Sequence, residues 1–232
     1  MPTLTRFCLV LLWLVAHQPG KAVSSSSSPS VTVVVETTLG KIEIAVDMSH
    51  APITANNFLR YVDGAFYDGG EFYRTVRPDT EVRQDAPIQV IQARINPART
   101  KEEFSPIPVE QTGTTGLRHL NGTVSMARDV TPARRGPNTA TSMFFICIGD
   151  QPSLDADGNR SPDHQGFAAF GRVVQGMDVV KRIHDSAVDK NSPATSHSAK
   201  GQALDPPIKI LRAHRKSAAA ELLGVCQKTY AN

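Results

Sequence analysis

The stretch Gly122–Asp150, GTVSMARDVTPARRGPNTATSMFFICIGD, decides the fold of this chain. It begins with the strand-like run GTVSMA, passes through a loop rich in Pro, Gly and Asn, and ends in the apolar run MFFICI, residues 143–148. A short apolar run bounded by turn residues is typical of a buried strand. The stretch therefore predicts two short strands separated by a loop, and the rest of the chain must indicate whether a working site surrounds that loop.

The composition is that of an ordinary globular protein. Of the 232 residues, 40% are hydrophobic and 20% are charged, and this length favours one domain with tails or two small domains. The formal net charge is +3, and like charges form no block long enough for a nucleic-acid-binding arm. We therefore expect no nucleic-acid partner.

The first 22 residues are typical of a secretory signal. Arg6 supplies a positive charge ahead of the ten apolar residues Phe7–Ala16, which are too few to span a bilayer as a helix. Small residues at Gly20 and Ala22 fit cleavage after Ala22, and the Ser-rich run at residues 23–30 fits a flexible linker. We expect an exported protein, periplasmic or secreted, without a stable membrane anchor; a buried N-terminal helix is the alternative.

The cysteines predict no metal site. Cys147 lies in the apolar run of the central stretch, where a small buried residue is expected, and Cys226 lies in the C-terminal tail. These two residues could form a disulfide in an oxidising compartment, which the sequence does not test. Since no Cys and His residues have zinc-ligand spacing, we expect neither a metal nor another cofactor.

Short β-branched or alternating segments predict about eight strands. They are Val31–Glu36, Lys41–Val46, Phe72–Val76, Ile88–Ile95, Gly122–Ala127, Met143–Ile148, Phe167–Val174 and Ile208–Leu211. Helices are predicted at Ala51–Asp63, where apolar residues recur at helical spacing, and at Met177–Ile183, and the tail could form another at Ser217–Leu223. Many short strands with few helices indicate a closed barrel or a sandwich with helical caps, and the pattern leaves that choice open.

Arg74 is the first candidate for chemistry because it lies between apolar neighbours in the strand FYRTV. Since side chains alternate along a strand, Phe72, Arg74 and Val76 should share one face, and Tyr73 and Thr75 the other. A guanidinium at that position belongs either to a surface ion pair, worth at most about 1 kcal/mol, or to an apolar site as its polar group. The strand alone does not decide between these two interpretations.

Five motifs that occur in the same order as in a known protein family favour the second interpretation of Arg74, as the polar group of an apolar site. They are FYDGGEFYRTV (residues 66–76), IQVIQARIN (88–96), GTVSMA (122–127), GPNTATSMFFI (136–146) and FAAFGRVVQGMDVV (167–180). In cyclophilin-type peptidyl-prolyl isomerases the corresponding segments are FYDGxxFHRV, a segment ending in QGGD, GxLSMAN, GPNTxxSQFFI and VFGxVxxGMDVV. With the N-terminal hairpin and the last strand, the resemblance to that family covers residues 31–213, ahead of a C-terminal tail at 214–232.

The resemblance implies a mainly β domain, a closed eight-stranded antiparallel barrel capped by two α-helices, with an active groove on its outside. It implies cis/trans isomerisation of Xaa-Pro bonds in proline-containing polypeptides, and we expect a monomer. The catalytic residues it implies are Arg74, Gln92 and Phe145. It further implies a proline pocket and adjoining groove for substrate binding, formed by Val90, Met126, Ala127, Arg128, Met143, Leu154 and Phe167.

The chain departs from the family pattern near that groove. Ala93 and Arg94 replace two glycines, Arg128 replaces an asparagine and Met143 replaces a glutamine. The loop at residues 77–87 is about ten residues longer than the family's usual connection, so we expect it to overhang the groove. Two functions follow as alternatives: an isomerase that assists the folding of exported proteins, and a non-catalytic module that binds proline-containing segments.

Overall fold

A computed structural model describes residues 30–129, 136–195 and 199–217. The strands are β1 Ser30–Thr37, β2 Gly40–Asp47, β3 Glu71–Val76, β4 Val90–Arg94, β5 Thr123–Met126, β6 Phe144–Cys147, β7 Ala168–Gln175, β8 Val188–Asp189 and β9 Ala203–Arg215. The helices are α1 Pro52–Asp63, α2 Thr112–Thr115 and α3 Met177–His184, with two 3₁₀ turns at Pro97–Glu102 and Pro152–Leu154.

The strands form a closed antiparallel barrel. Their order in the sheet is β1-β2-β7-β5-β6-β4-β3-β9, and pairing between β1 and β9 closes it. The two-residue strand β8 pairs only with the outside edge of β9 among the described residues. This architecture confirms the predicted eight-stranded barrel. The short elements β8 and α2 were not predicted from the sequence.

Helix α1 owes its start to a residue far along the chain. Its N-terminal neighbour Ala51 provides no side-chain cap, but the Glu110 carboxylate accepts hydrogen bonds from the backbone N–H groups of Ile53 (3.1 Å) and Thr54 (2.7 Å). An acceptor there satisfies donors that a helix cannot pair internally, and a negative charge also suits the N-terminal end of the helix dipole. The apolar face of α1 inserts Phe58 into the barrel core, 5.4 Å from Phe144 and 5.0 Å from Phe170 between ring centroids.

A second apolar cluster lies on the outer face of the sheet, separate from the barrel core. Alternation along β4 and β6 sends Ile91 and Ile146 into the barrel and leaves neighbouring side chains outside. Members of the outer cluster are Val76, Ile88, Val90, Phe145, Cys147, Leu154 and Phe167. The sheet between β4 and β6 is therefore covered on both faces, which explains why MFFICI is apolar without alternation.

The alternation predicted for residues 72–76 is wrong at Phe72. A register shift pairs Phe72 with Ala93 and Arg74 with Gln92, so Tyr73 is an extra residue in β3. Phe72 consequently packs in the barrel core, whereas Arg74 and Val76 lie on the outer face. Such a bulge inserts one residue and re-aims the side chains that follow it.

The last strand is longer than the predicted Ile208–Leu211, because the segment that ends at Pro207 has the low hydrophobicity typical of a loop. β9 runs from Ala203 to Arg215, but against β3 its register jumps from Ile208 to Ala203 between consecutive pairs. The residues between them, including Pro206 and Pro207, are not required to donate to the β3 ladder. Prolines are tolerated at such irregularities and not in a regular central strand.

Several sequence predictions lie outside the described residues. These are the signal at 1–22, most of the linker at 23–30, and the tail from residue 218 onward, with its predicted helix and Cys226. Cys147 is fully buried, and burial raises the pKa of its thiol. No helix in the described part of the chain is long and apolar enough to cross a membrane.

Candidate active site

Arg74 is held in the outer cluster by two glutamines. Its Nη1 donates to Gln92 Oε1 at 2.7 Å, from the position directly opposite on β4. Its Nε and Nη2 donate to Gln202 Oε1 at 2.9 and 2.7 Å. Because a guanidinium has five N–H bonds, two of them, one on each terminal nitrogen, have no acceptor among the described residues.

The guanidinium keeps its positive charge. Burial, with a smaller contribution from the nearby Arg160, lowers the pKa of Arg74 to about 10, against the opposing effects of Tyr73 and Glu81. At pH 7 a group with that pKa is still protonated. Its two direct partners in the described part of the chain are neutral amides rather than carboxylates, so neither of them neutralises the charge.

Beside Arg74 lies an apolar cavity of about 330 Å³. Phe145, which is 5% exposed, forms its floor, and the Phe167 ring meets the Phe145 ring edge-on at 5.6 Å. Further apolar lining comes from Ile88, Val90, Ala127, Leu154, Val82, Ala194 and Ala199. A cavity of this size with a few polar groups at one side is typical of a small-ligand subsite.

A buried polar chain supports the floor from behind. His119 stacks on Phe145 at 5.9 Å, its Nδ1 lies 2.8 Å from Asp155 Oδ1, and its Nε2 lies 3.1 Å from Ser125 Oγ. Burial opposes ionisation of Asp155, but the hydrogen bonds from His119 outweigh it and lower the pKa of that carboxyl. An acid, a histidine and a serine in this order resemble a hydrolase triad. Ser125 is fully buried, so its hydroxyl cannot reach a substrate.

Arg128 lines the cavity, but its N–H groups donate to other groups of the protein. Its Nη1 and Nη2 donate to the Asp163 carboxylate at 2.9 and 2.6 Å. Its Nε donates to the Gly166 carbonyl (2.7 Å), and Nη1 also donates to the Gly136 carbonyl (3.1 Å). Its guanidinium also lies 5.2 Å from the centroid of the Phe167 ring. Although burial opposes ionisation of Asp163, these hydrogen bonds hold its pKa at about 2. Arg128 therefore clamps the wall that carries Phe167.

The long loop at residues 77–87 adds a rim to the cavity, as its length predicted. Val82, 60% exposed, and Arg83 both line the cavity. Glu81 fixes the loop because its buried carboxylate accepts from the backbone N–H groups of Arg83 (2.8 Å) and Ile88 (3.0 Å) and from Arg160 Nη1 (2.9 Å). The overhang is therefore tied down at its centre.

The structure brings most of the predicted site residues together. Those that line the cavity are Arg74, Val90, Gln92, Ala127, Arg128, Phe145, Leu154 and Phe167. Met126 does not reach it, because it packs in the barrel core opposite Phe144. Met143 does not line the cavity either, and its sulfur lies 3.5 Å from the Tyr73 hydroxyl. Its backbone carbonyl accepts a hydrogen bond from the N–H of Ala127, a residue that does line the cavity.

The two residues that replace the family's glycines, Ala93 and Arg94, do not obstruct the groove. Ala93 faces the barrel core, and Arg94 pairs with Glu71 on the outer surface at 2.5 Å, with its guanidinium 4.9 Å from the Tyr73 ring centroid. Neither residue lines the cavity. No group of three or more His, Cys, Asp or Glu side chains within the described ranges could hold a metal ion.

Sequence reasoning missed several contributors to the site, among them Ile88, Arg160 and Gln202. Ile88 could have been found, because it precedes Val90 and Gln92 at the strand period of two. Arg160 lies in a polar loop whose pairing with Glu81 no local pattern reveals. Gln202 is 128 residues from Arg74 and precedes the last strand with no motif to mark it.

A closed antiparallel barrel with an external apolar cavity and a half-buried arginine beside it matches what the motif resemblance implied. The family description "Cyclophilin type peptidyl-prolyl cis-trans isomerase/CLD" matches residues 32–214. A peptidyl-prolyl cis-trans isomerase of Acinetobacter baylyi is 32% identical over 198 residues, which are 85% of this chain and 92% of the relative. Peptidyl-prolyl cis-trans isomerase A of Dickeya dadantii is 33% identical over 185 residues, covering 80% and 85% respectively.

The fold has solved counterparts. A cyclophilin-type peptidyl-prolyl cis-trans isomerase of Cryptosporidium parvum aligns with a TM-score of 0.60 at 20% identity, over 82% of this chain and 99% of that one. At that identity the likeness concerns the fold alone. With the family match and the bacterial relatives, the chain is an enzyme of the cyclophilin-type peptidyl-prolyl cis-trans isomerase family.

Proposed function

We propose that Arg74, Gln92 and Phe145 carry the isomerisation of Xaa-Pro bonds in this chain, and that its substrates are exported proteins. Rotation about a peptide bond is slow because amide resonance imposes a barrier of about 18–20 kcal/mol. An enzyme lowers that barrier by binding the twisted bond more tightly than the planar one. No nucleophile is required, which fits a site whose polar groups are hydrogen-bond donors and amides.

Arg74 supplies the interaction that is stronger in the twisted state. When the bond twists, the proline nitrogen regains its lone pair and becomes a better hydrogen-bond acceptor. The two N–H bonds of Arg74 that have no acceptor among the described residues are charged donors at the edge of the apolar cavity, where water competes poorly. The single observation that carries the proposal is this half-buried, protonated arginine with neutral partners beside an apolar cavity of about 330 Å³.

The other residues hold the substrate so that only one side rotates. The proline ring would pack on Phe145 between Val90, Leu154 and Phe167. Gln92 uses Oε1 for Arg74, and its Nε2 has no acceptor in the described part of the chain, so that amide can donate to a substrate carbonyl. Ala127 would contact the residues before proline, whereas Arg128 would act there mainly by fixing the wall.

The test is an isomerase assay on a Xaa-Pro peptide with the wild-type protein and three variants. Arg74→Ala and Arg74→Lys should each lower kcat/KM by about 100-fold or more, because lysine lacks the planar fork that both glutamines hold. Arg94→Ala is the matched control, since that arginine lies on the next strand and outside the cavity. A wild-type rate equal to buffer would leave the binding-only alternative, and equal rates for wild type and Arg74→Ala would remove Arg74 from the mechanism.

The export proposal rests on the N-terminal sequence alone. The charged residue, apolar core and small residues at 20 and 22 favour cleavage after Ala22. Protein purified from the cell exterior or periplasm should begin at Val23 when its N-terminus is sequenced. Recovery of the full chain from the cytoplasm, still beginning at Met1, would contradict the proposed role in folding exported proteins.

A further inference from the structure

We propose that Gln202 is a second positioning residue for Arg74, in addition to Gln92. The inference rests on the proposed function, because it concerns how the arginine is presented to the twisted bond. Gln202 Oε1 accepts from both Nε and Nη2 of Arg74, so one amide oxygen fixes the inner edge of the guanidinium plane. Gln92 fixes the remaining terminal nitrogen.

The Gln202 amide is itself held rigidly. The residue is fully buried, and its Oε1 also accepts from the backbone N–H of Ala199 at 3.1 Å. Its Nε2 donates to the Thr80 carbonyl at 2.9 Å, and the backbone carbonyl of Gln202 accepts from the Thr75 N–H at 3.0 Å. A side chain fixed at both ends by backbone groups can hold another side chain without moving itself.

Two neutral acceptors suit this task better than a carboxylate. Together Gln92 and Gln202 occupy three of the five N–H bonds and leave one on each terminal nitrogen for the substrate. A carboxylate at either place would also orient the guanidinium, but its charge would offset the positive potential that stabilises the twisted bond. The structure therefore separates orientation from neutralisation.

Gln202 also joins the arginine to the overhanging loop. Thr80, whose carbonyl accepts from Gln202 Nε2, lies one residue before Glu81, the anchor of that loop. The position of the loop and the orientation of Arg74 therefore share one amide group. The Gln92 side chain hydrogen-bonds only to Arg74 among the described residues, so it does not connect the arginine to the loop.

The experiment compares two substitutions that separate geometry from charge. Gln202→Met keeps the volume and removes the acceptor, so we expect kcat to fall about tenfold with KM changed less than about twofold. The Nε–H resonance of Arg74 in ¹⁵N NMR should also exchange faster with water, because its acceptor is gone. Gln202→Glu keeps the acceptor, so that resonance should stay protected while kcat still falls.

Gln151→Met is the matched control. Gln151 is another buried glutamine whose oxygen accepts from the Gln89 N–H at 3.1 Å, and it does not line the cavity with Arg74. This variant should lose stability without changing kcat or the Arg74 resonance in its folded state. A Gln202→Met protein with wild-type kcat and a protected Arg74 Nε–H would overturn the inference, as would an equal loss of kcat in Gln151→Met.

The NMR readout keeps the two proposals apart. If the wild-type protein had no isomerase activity, the proposed function would fail, yet faster Nε–H exchange in Gln202→Met would still support the positioning of Arg74. If the enzyme were active and Arg74→Ala inactive, but Gln202→Met were unaffected in both readouts, only the positioning role would fail.

Discussion

Two arginines on the same cavity illustrate how partners decide the work of a residue. Within the described ranges, Arg74 is bound by two amides that leave two of its N–H bonds without an acceptor, whereas Arg128 is bound by the Asp163 carboxylate and two backbone carbonyls. The first arrangement leaves a charged donor for a substrate. The second neutralises the charge and tightens the wall behind Phe167. In sequence both are single arginines after an apolar strand residue, so residue type alone does not separate them.

The Arg128–Asp163 pair should show in the acid limb of the stability curve. The folded-state pKa of Asp163, about 2, lies below its ordinary 3.8, so the unfolded chain binds the proton more readily. The stabilisation, roughly 2 kcal/mol, is present above about pH 4 and is lost as the pH falls towards 2. Asp163→Asn should lower the free energy of unfolding at pH 7 and flatten its change between pH 4 and 2, measured by urea unfolding. An unchanged acid slope would contradict this assignment.

Phe144 and Phe145 are adjacent, but replacing each by leucine should affect stability and activity differently. Phe145→Leu weakens the floor beneath the proline ring, so kcat/KM should fall about tenfold with a loss of about 1 kcal/mol in stability. Phe144 faces the barrel core among Phe58, Tyr67 and Phe72. Phe144→Leu should therefore cost more stability, while kcat/KM stays near the wild-type value at temperatures where the variant is folded. Activity assays and thermal unfolding of both variants check the pair, and a reversed pattern would place Phe145 outside the site.

At the scale of elements, the bulge in β3 and the loop that follows it build the site together. The bulge sends Arg74 and Val76 to the outer face, and the chain then leaves the barrel through residues 77–87. Arg77 fixes the start of that loop by donating to the carbonyls of His184 (3.2 Å) and Ser186 (3.0 Å) at the end of α3. A cation at a helix C-terminus is favoured by the helix dipole.

Glu81 should control the order of that loop. Glu81→Ala removes the carboxylate partner of Arg160 and leaves the backbone N–H of Ile88 without its acceptor, and breaking a buried pair of this kind costs about 3 kcal/mol. We expect faster trypsin cleavage within residues 77–87 and a raised KM. Asp85→Ala is the control, because Asp85 is an exposed partner of Arg83 in the same loop and a surface pair is worth little. Equal cleavage of both variants would indicate that Glu81 is not the anchor.

At the scale of the whole molecule, the sequence predicted the barrel because five motifs occur in family order, and it predicted Arg74, Gln92 and Phe145 because they lie inside those motifs. The position of Phe72 was wrong because a bulge changes alternation without a sequence signal. Gln202 and Arg160 could not be predicted, since closure of the barrel and packing of loops bring them to Arg74 and Glu81 from distant segments. Long-range contacts of that kind leave no local periodicity to read.

Closure of the barrel gives the last prediction, on the limits of the domain. β9 pairs with β1 up to Val33↔Arg215, Arg215 forms an ion pair with Asp63 of α1 at 2.7 Å, and the Lys216 N–H donates to the Thr32 carbonyl. A chain of residues 30–217 contains every one of these contacts, so it should match residues 23–232 in unfolding midpoint and kcat/KM. A chain ending at residue 207 loses the β1–β9 pairing and should not fold, because an open barrel exposes its core and two unpaired edges. Circular dichroism and the isomerase assay separate these outcomes; a clear loss of stability in residues 30–217 would mean that the segments outside contribute to the domain.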